Sequence, residues 1–118
     1  MKYLISEAKH VAESFYALVK SVHERSVFST KQNELILIAV FTANKARNHL
    51  KTHIRKALEN GATKDEVISS ILLALPVIGI TRVNEALEVA IKFMETRGIV
   101  GKAAVISQDA VNVRPAIG

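Results

Sequence analysis

The chain contains no cysteine and no tryptophan, and its 118 residues include only five glycines and two prolines. Without cysteine, this chain cannot form a disulfide, a thiolate metal site or a cysteine nucleophile. The small number of glycines and prolines favours long helices over a succession of tight turns. Aromatic residues make up 5% of a chain that is 49% hydrophobic, so its core must be mainly aliphatic.

Long apolar segments are also missing. The two longest apolar runs, residues 35–41 and 71–80, are much shorter than the roughly 20 residues that a membrane-spanning helix needs. The N-terminus has no unbroken apolar region of signal-peptide length. We therefore expect a cytoplasmic protein that does not enter a membrane, folded as a single domain over residues 1–118.

Acidic residues are fewer than basic ones, which gives a net charge of +5 and a pI of about 9.7. A basic chain can attract anionic ligands or nucleic acid, but charge alone does not define a binding mode. Because the sequence has no basic patch with interspersed aromatic residues and no zinc-finger spacing, we predict no nucleic-acid partner.

The hydrophobic pattern predicts an all-α fold, a compact bundle of five to six helices joined by short links. Ser29 with Gln32, and Thr63 with Glu66, have the spacing of capping boxes and mark two helix starts. Asn60-Gly61 favours the end of the third helix, and Gly98 favours the end of the last one. The predicted helices cover, approximately, residues 6–24, 29 through at least 41, 45–60, 63–75 and 81–97.

Further predictions concern the burial of these helices, their ends and the C-terminal tail. The first helix belongs to an N-terminal segment, residues 1–28. The second helix is apolar on nearly all sides, so we expect other helices to cover it. Pro76 should end or kink the fourth helix near Leu75, and Gly79 should bend the chain. The tail, residues 99–118, lacks a helical stripe; it could be disordered, but its apolar end favours docking on a neighbouring subunit.

Two histidines lie one helical turn apart in the third predicted helix. His53 is on or beside the inner face of this helix, and His49 is nearer its edge. Either could be a partly buried structural imidazole. The pair could also bind zinc, but a zinc site needs three or four protein ligands, so we predict no metal.

Charged residues near these histidines allow two interpretations each. Glu34 is either a first-turn acid favoured by the helix dipole or a partner that orients an imidazole. Arg47, Lys51 and Arg55 form a row that is most simply a solvated face, although Arg55 could hold a carboxylate by a bidentate contact. Arg82 is either exposed or placed to hold an anion near a helix start.

The segment HIRKALENGATKDEV, which begins at His53, together with Glu34, resembles the carboxymuconolactone decarboxylase family, which includes the alkyl-hydroperoxidase D-like proteins. The family pattern has a Glu early in one helix, then a His, an Ala, Gly-Ala-Thr or Gly-Val-Thr, and Asp/Glu-Glu. The segment GITRVNEALEVA is similar to the family element Gly-x-Pro-x-x-x-x-Ala-Leu. The resemblance covers about residues 29–94.

The sequence also departs from the family pattern. The peroxidase branch has a Cys-x-x-Cys where Ala46 and His49 stand here, so thiol peroxidase activity implied by the resemblance is not expected. The decarboxylase branch lacks these cysteines and has a His-x-Arg similar to residues 53–55. Thr81 replaces the family's proline, and the large cation Arg82 follows it, so the pocket is expected to be reshaped or closed.

The resemblance implies a helical homo-oligomer, trimer or hexamer, with a pocket near a subunit interface. It implies a lyase without cofactor or metal that acts on a small carboxylate or lactone acid. His53, Glu34 and His49 would be catalytic, and Arg55 and Arg82 would bind the substrate carboxylate. The alternatives are a non-catalytic oligomeric binding protein of the same fold and a histidine metal site.

Overall fold

A computed structural model describes residues 1–99, which contain seven α-helical segments and no strand. The predicted all-α fold is confirmed. Apart from Ile99, the predicted C-terminal tail lies outside the described residues. The segments are α1 (Lys2–Glu7), α2 (Lys9–Arg25), α3 (Thr30–Ala43), α4 (Arg47–Glu59), α5 (Lys64–Leu72), α6 (Leu75–Ile78) and α7 (Ile80–Thr96).

Both predicted capping boxes are present. Ser29 Oγ accepts a hydrogen bond from the Gln32 N–H at 3.1 Å, and Gln32 Oε1 accepts one from the Ser29 N–H at 2.9 Å. Thr63 and Glu66 make the same reciprocal pair at 3.1 and 2.9 Å. These contacts satisfy backbone donors that have no partner within the helix, and so fix where α3 and α5 begin.

Glycine ends α4 as the sequence predicts. Gly61 has a φ of +94°, a conformation that side-chain-bearing residues rarely adopt. The N–H of Ala62 then donates to the Ala57 carbonyl at 2.9 Å, which satisfies an acceptor at the end of α4. This turn directs the chain from α4 straight into the cap of α5.

The core lies where α3 packs against α4, α5 and α7. Its members are aliphatic or small, as the composition requires, apart from one methionine. The fully buried large side chains are Ile38, Ile54, Ile71, Met94, Val67 and Val83.

Two boundaries differ from the prediction. The first predicted helix is two helices, because Ala8 leaves the helical conformation with φ −152° and ψ 68°. Pro76 does not end α5, which already stops at Leu72; it lies instead in the first turn of α6. The physical reason is that a first-turn residue needs no N–H for an intrahelical bond.

The expectation that other helices cover α3 is met only in part within residues 1–99. Helices α4, α5 and α7 pack on it, but Ile36 and Val40 on another side are 47% and 52% exposed. Leu72, the last residue of α5, is also exposed. In the described part of the chain, no helix is both long enough and apolar enough to cross a membrane.

Candidate functional site

A carboxylate and an imidazole meet between α3 and α4. Glu34 Oε2 lies 2.5 Å from His53 Nδ1, and the two side chains are 6% and 15% exposed. The link between these helices, residues 44–46, is short, so α4 folds back along α3 and brings the two residues together. The Ser29 cap places Glu34 in the second turn of α3, so it is not the first-turn acid that one interpretation suggested.

This contact determines which nitrogen of His53 is available for chemistry. When Glu34 is ionised its oxygens only accept hydrogen bonds, so the Nδ1–H of His53 is the donor and Glu34 Oε2 the acceptor. Nε2 is then a lone-pair acceptor in the neutral ring and an N–H donor in the imidazolium. Because a buried carboxylate without a partner is costly, Glu34 and His53 hold each other in position.

Phe41 on α3 holds both histidines by ring stacking. Its ring centroid is 4.9 Å from that of His53 and 5.3 Å from that of His49, with interplanar angles of 12° and 14°. His49 is exposed and His53 is partly buried. The structure therefore brings three predicted catalytic residues together: His49 and His53 stack on one phenyl ring, and Glu34 contacts His53.

Sequence reasoning did not identify Phe41 as part of this site. A signal was present, since Phe41 follows Glu34 by seven residues, or two helical turns, and so shares its face of α3. Within the apolar run of α3, however, Phe41 has the same pattern as a core residue.

Arg55 does not join the pair formed by Glu34 and His53. Its Nη1 lies 3.0 and 3.2 Å from the two carboxylate oxygens of Glu59, one turn along α4. Residues two apart on a helix point about 200° apart, so Arg55 extends away from the side of His53. The structure therefore does not bring Arg55 to His53, and the guanidinium is paired with Glu59 instead.

Arg82 lies beside a cavity next to the stacked rings. Its Nη1 donates to the Ala43 carbonyl at 2.6 Å, which ties α7 to the end of α3. The cavity has a volume of about 120 Å³, and Lys45, Arg47, Arg82 and a single acid, Glu85, contribute charge to its wall. Its remaining lining residues are Phe41, Thr42, Ala46, Leu50, Ala86 and Val89.

Phe41 connects this cationic cavity with the imidazoles, because it lines the cavity and stacks on both rings. Neither His49 nor His53 is among the residues that line the cavity, so the cavity can hold an anionic group against Phe41, the ring on which both imidazoles stack. Across residues 1–99, the structure contains no group of three or more His, Asp or Glu side chains that could hold a metal ion.

Comparison with known sequences identifies one family. The sequence model described as the carboxymuconolactone decarboxylase family matches residues 9–92, a range that includes Glu34, Phe41, His49, His53 and Arg82. Neither the curated proteins nor the solved structures gave a significant match.

Proposed function

Since the chain belongs to the carboxymuconolactone decarboxylase family, we propose that it is a cofactor-free lyase that removes CO₂ from a small carboxylate or lactone acid. The observation that carries this proposal is the 2.5 Å contact between Glu34 and His53. It supplies an oriented acid–base group at a partly buried position, without sulfur or metal.

In the proposed reaction, the bond between the substrate carbon and its carboxylate breaks and CO₂ leaves. The electron pair stays on the substrate, which becomes a carbanion delocalised as a dienolate. The imidazolium of His53 donates the Nε2 proton to that carbon, and His53 later regains a proton from solvent. Glu34 keeps the ring oriented through Nδ1. General acid–base catalysis of this kind contributes about 10²–10⁴ in rate, and electrostatics and positioning supply the rest.

His49 has a secondary place in this proposal. It is exposed and stacked on the same phenyl ring as His53, so it can exchange protons with solvent next to the catalytic ring. We assign it to proton supply rather than to direct contact with the substrate carbon.

Arg82 is the better placed of the two predicted carboxylate-binding residues. A guanidinium has five N–H donors, and the Ala43 carbonyl accepts from only one of the Arg82 nitrogens. Arg55 is already paired with Glu59 and would have to leave that partner to bind substrate. The cavity that Arg82 lines, with Lys45 and Arg47, therefore fits a small carboxylate.

The second candidate is a non-catalytic oligomeric binding protein of the same fold. It is favoured by the large apolar area that α2 and α3 leave exposed, since patches of this kind mark interfaces. We also propose, for either function, that the protein is a homo-oligomer, a trimer or hexamer, as the family resemblance implies.

The decisive experiment measures CO₂ release from a panel of lactone carboxylic acids. We expect turnover by the unmodified protein, a loss of about 10²–10⁴-fold in kcat/KM for His53→Ala, and a loss for Glu34→Gln as well. His10→Ala is the matched control, because His10 is exposed near the start of α2, and it should keep full activity.

The same panel separates the two candidate functions. An acid that raises the melting temperature without releasing CO₂ favours the binding protein. Turnover that survives His53→Ala removes the imidazole from the mechanism.

A further inference from the structure

The wall of the cationic cavity contains a backbone conformation that, elsewhere in residues 1–99, occurs only at glycine. Lys45 has a φ of +58°, and the other positive φ values belong to Gly61, Gly79 and Gly98. A side chain crowds its own backbone in this left-handed region, whereas glycine enters it without that cost. Lys45 is therefore held in an unfavourable conformation, in the short link between α3 and α4.

The geometry of the link explains the positive φ but not the lysine. A left-handed residue in this link lets α4 fold back along α3, and glycine or asparagine would adopt that conformation at lower cost. Asparagine is present one position earlier, but Asn44 has an ordinary φ of −90°. A strained residue that the fold alone does not require points to a role for its side chain.

The side chain of Lys45 lines the cationic cavity and has no partner of its own. Within the part of the chain that the structure describes, its ammonium makes no ion pair and no hydrogen bond. Arg82 differs, because one of its nitrogens already donates to the Ala43 carbonyl at 2.6 Å. Lys45 therefore brings an ammonium with all its N–H donors free to the wall of the cavity.

Arg47, the third cation of this wall, does not have the same features. It is the first residue of α4 and has an ordinary helical conformation, so its position costs the fold nothing. It also lines a neighbouring depression between α4 and α7, together with Lys51 and Lys92. Lys45 is thus the cation that the chain places at this cavity in spite of a backbone cost.

We propose that Lys45 gives this cavity its selectivity for a carboxylate over a neutral ligand. The inference rests on the carboxylate site of the proposed function, and it adds the side chain on which the affinity of that site depends. The ammonium of Lys45 binds one carboxylate oxygen, and an N–H of Arg82 that the Ala43 carbonyl does not use binds the other.

This role predicts an effect on KM without a loss of kcat. As the substrate releases CO₂, negative charge leaves the carboxylate and moves to the dienolate. The contact with Lys45 therefore stabilises the bound substrate at least as much as the transition state, and it contributes to binding rather than to rate. His53 has the opposite effect, because it acts in the chemical step.

Calorimetric titration with succinate tests the binding step without the reaction. Succinate is a small carboxylate with no neighbouring group that could take up the electron pair, so it does not release CO₂. At constant ionic strength, we expect Lys45→Gly to weaken succinate binding at least about tenfold, and Lys45→Arg to keep it within about threefold. Succinamide, which has the same shape without the charge, should not bind detectably to the unmodified protein.

Lys51→Gln is the matched control for the loss of charge. Lys51 is an exposed cation on α4 that does not line the cavity. Its substitution removes one positive charge from the same region, and it should change succinate binding less than about twofold. A loss as large as that of Lys45→Gly would mean that general attraction of anions explains the affinity, and would overturn the proposal.

Thermal unfolding without ligand separates a binding role from a structural one. Lys45→Gly should raise the melting temperature by about 2–4 °C, because glycine adopts a φ of +58° without crowding. Lys45→Arg keeps that crowding and should melt within about 1 °C of the parent. Stability and succinate affinity should thus change in opposite directions in Lys45→Gly, and a glycine variant that melts below the parent, or binds succinate as tightly, contradicts the proposal.

The CO₂-release assay keeps this inference apart from the proposed function. With an acid that the protein turns over, Lys45→Gly should raise KM about tenfold without lowering kcat, whereas His53→Ala lowers kcat. Succinate binding that depends on Lys45, in a protein that releases no CO₂, would reject the lyase function and support the inference. CO₂ release with a KM that Lys45→Gly leaves unchanged would do the reverse, and an unmodified protein that does not bind succinate overturns the inference directly.

Discussion

The N-terminal helices α1 and α2, residues 2–25, which we call the arm, and the four-helix body of α3, α4, α5 and α7 have similar sequence patterns but opposite outcomes. Apolar residues recur with helical spacing in both. In α4 that pattern buries Leu50 and Ile54, at 3% and 0% exposure. In α2 it leaves Phe15 and Leu18 about half exposed. A helical stripe therefore identifies a face that needs a partner, but does not say whether the partner is in the same chain.

The two regions also differ in the side-chain contacts that start their helices and join them to each other. In the body, α3 and α5 both start with complete capping boxes, and Lys31 Nζ joins these helices through Glu66 Oε2 at 3.0 Å. In the arm, neither α1 nor α2 has a side-chain cap, and in the body α4 and α7 also lack one. The body is thus a structure that its own chain specifies, whereas the arm is helical but has its long apolar row unpaired.

The largest expected contrast comes from truncating one isoleucine in each region. Ile54→Ala, in the core, should lower the free energy of unfolding by about 2–5 kcal/mol, because it removes buried contacts and leaves a cavity. Ile5→Ala, at a position that is 46% exposed on α1, should cost less than about 1 kcal/mol. Urea unfolding of both variants measures the difference, and equal losses would show that the arm is packed as tightly as the core.

A smaller contrast concerns helix capping. Thr63→Ala removes the side chain that accepts from the Glu66 N–H, and should cost about 1 kcal/mol. Ser21→Ala is the control in the arm: its hydroxyl bonds the Ala17 carbonyl within α2, and its loss should stay within about 0.5 kcal/mol. Thermal unfolding at neutral pH measures both, and a Thr63→Ala variant as stable as the parent would mean that the cap contributes nothing.

The smallest expected effect is a pH dependence at the start of α5. The Thr63 N–H, and then the Lys31 side chain, hold the pKa of Glu66 below its ordinary value of 4.5. A carboxyl with a lower pKa in the folded state stabilises the fold above that ordinary value, and this contribution is lost as the pH falls through the folded-state pKa. Because Glu66 is a solvent-accessible group, the effect should be small.

Glu66→Gln tests this dependence. The parent should melt at a higher temperature than the variant at neutral pH, and the difference should shrink when the pH is taken below 4.5. Glu13→Gln in α2, at a residue that makes a 3.9 Å contact with Lys9, should show little difference at either pH. If the difference in melting temperature between the parent and Glu66→Gln grew as the pH fell, the sign of the pH dependence would be opposite to the one expected. That result would contradict a lowered pKa for Glu66 in the folded protein.

Local sequence rules predicted the body well. Each capping box needed only two residues three positions apart, and the helix end at Gly61 needed only a glycine with positive φ. Contacts of this kind are completed within one turn of the chain. The pairing of Arg55 with Glu59 is equally local, at one helical turn, and it competes with the role that the family resemblance suggested for Arg55.

The candidate site was harder to predict because its parts come from different helices. The family resemblance named Glu34 and His53 as partners, but their 2.5 Å contact depends on how α4 folds back on α3. The stacking of Phe41 on His49 and His53 has no local signature, since an aromatic residue in an apolar run is most simply a core residue. The contact of Arg82 with the Ala43 carbonyl joins residues 39 positions apart.

By itself, the sequence determined that this protein is helical, that its core is aliphatic, where α3, α4 and α5 start or stop, and that no thiol takes part in its chemistry. Those properties follow from residue type and from neighbours within about one helical turn. Tertiary structure decided which apolar stripes were buried and which side chains reached Glu34 and the Arg82 cavity. The reason is that burial and side-chain convergence depend on the packing of distant segments, which helical spacing alone does not specify.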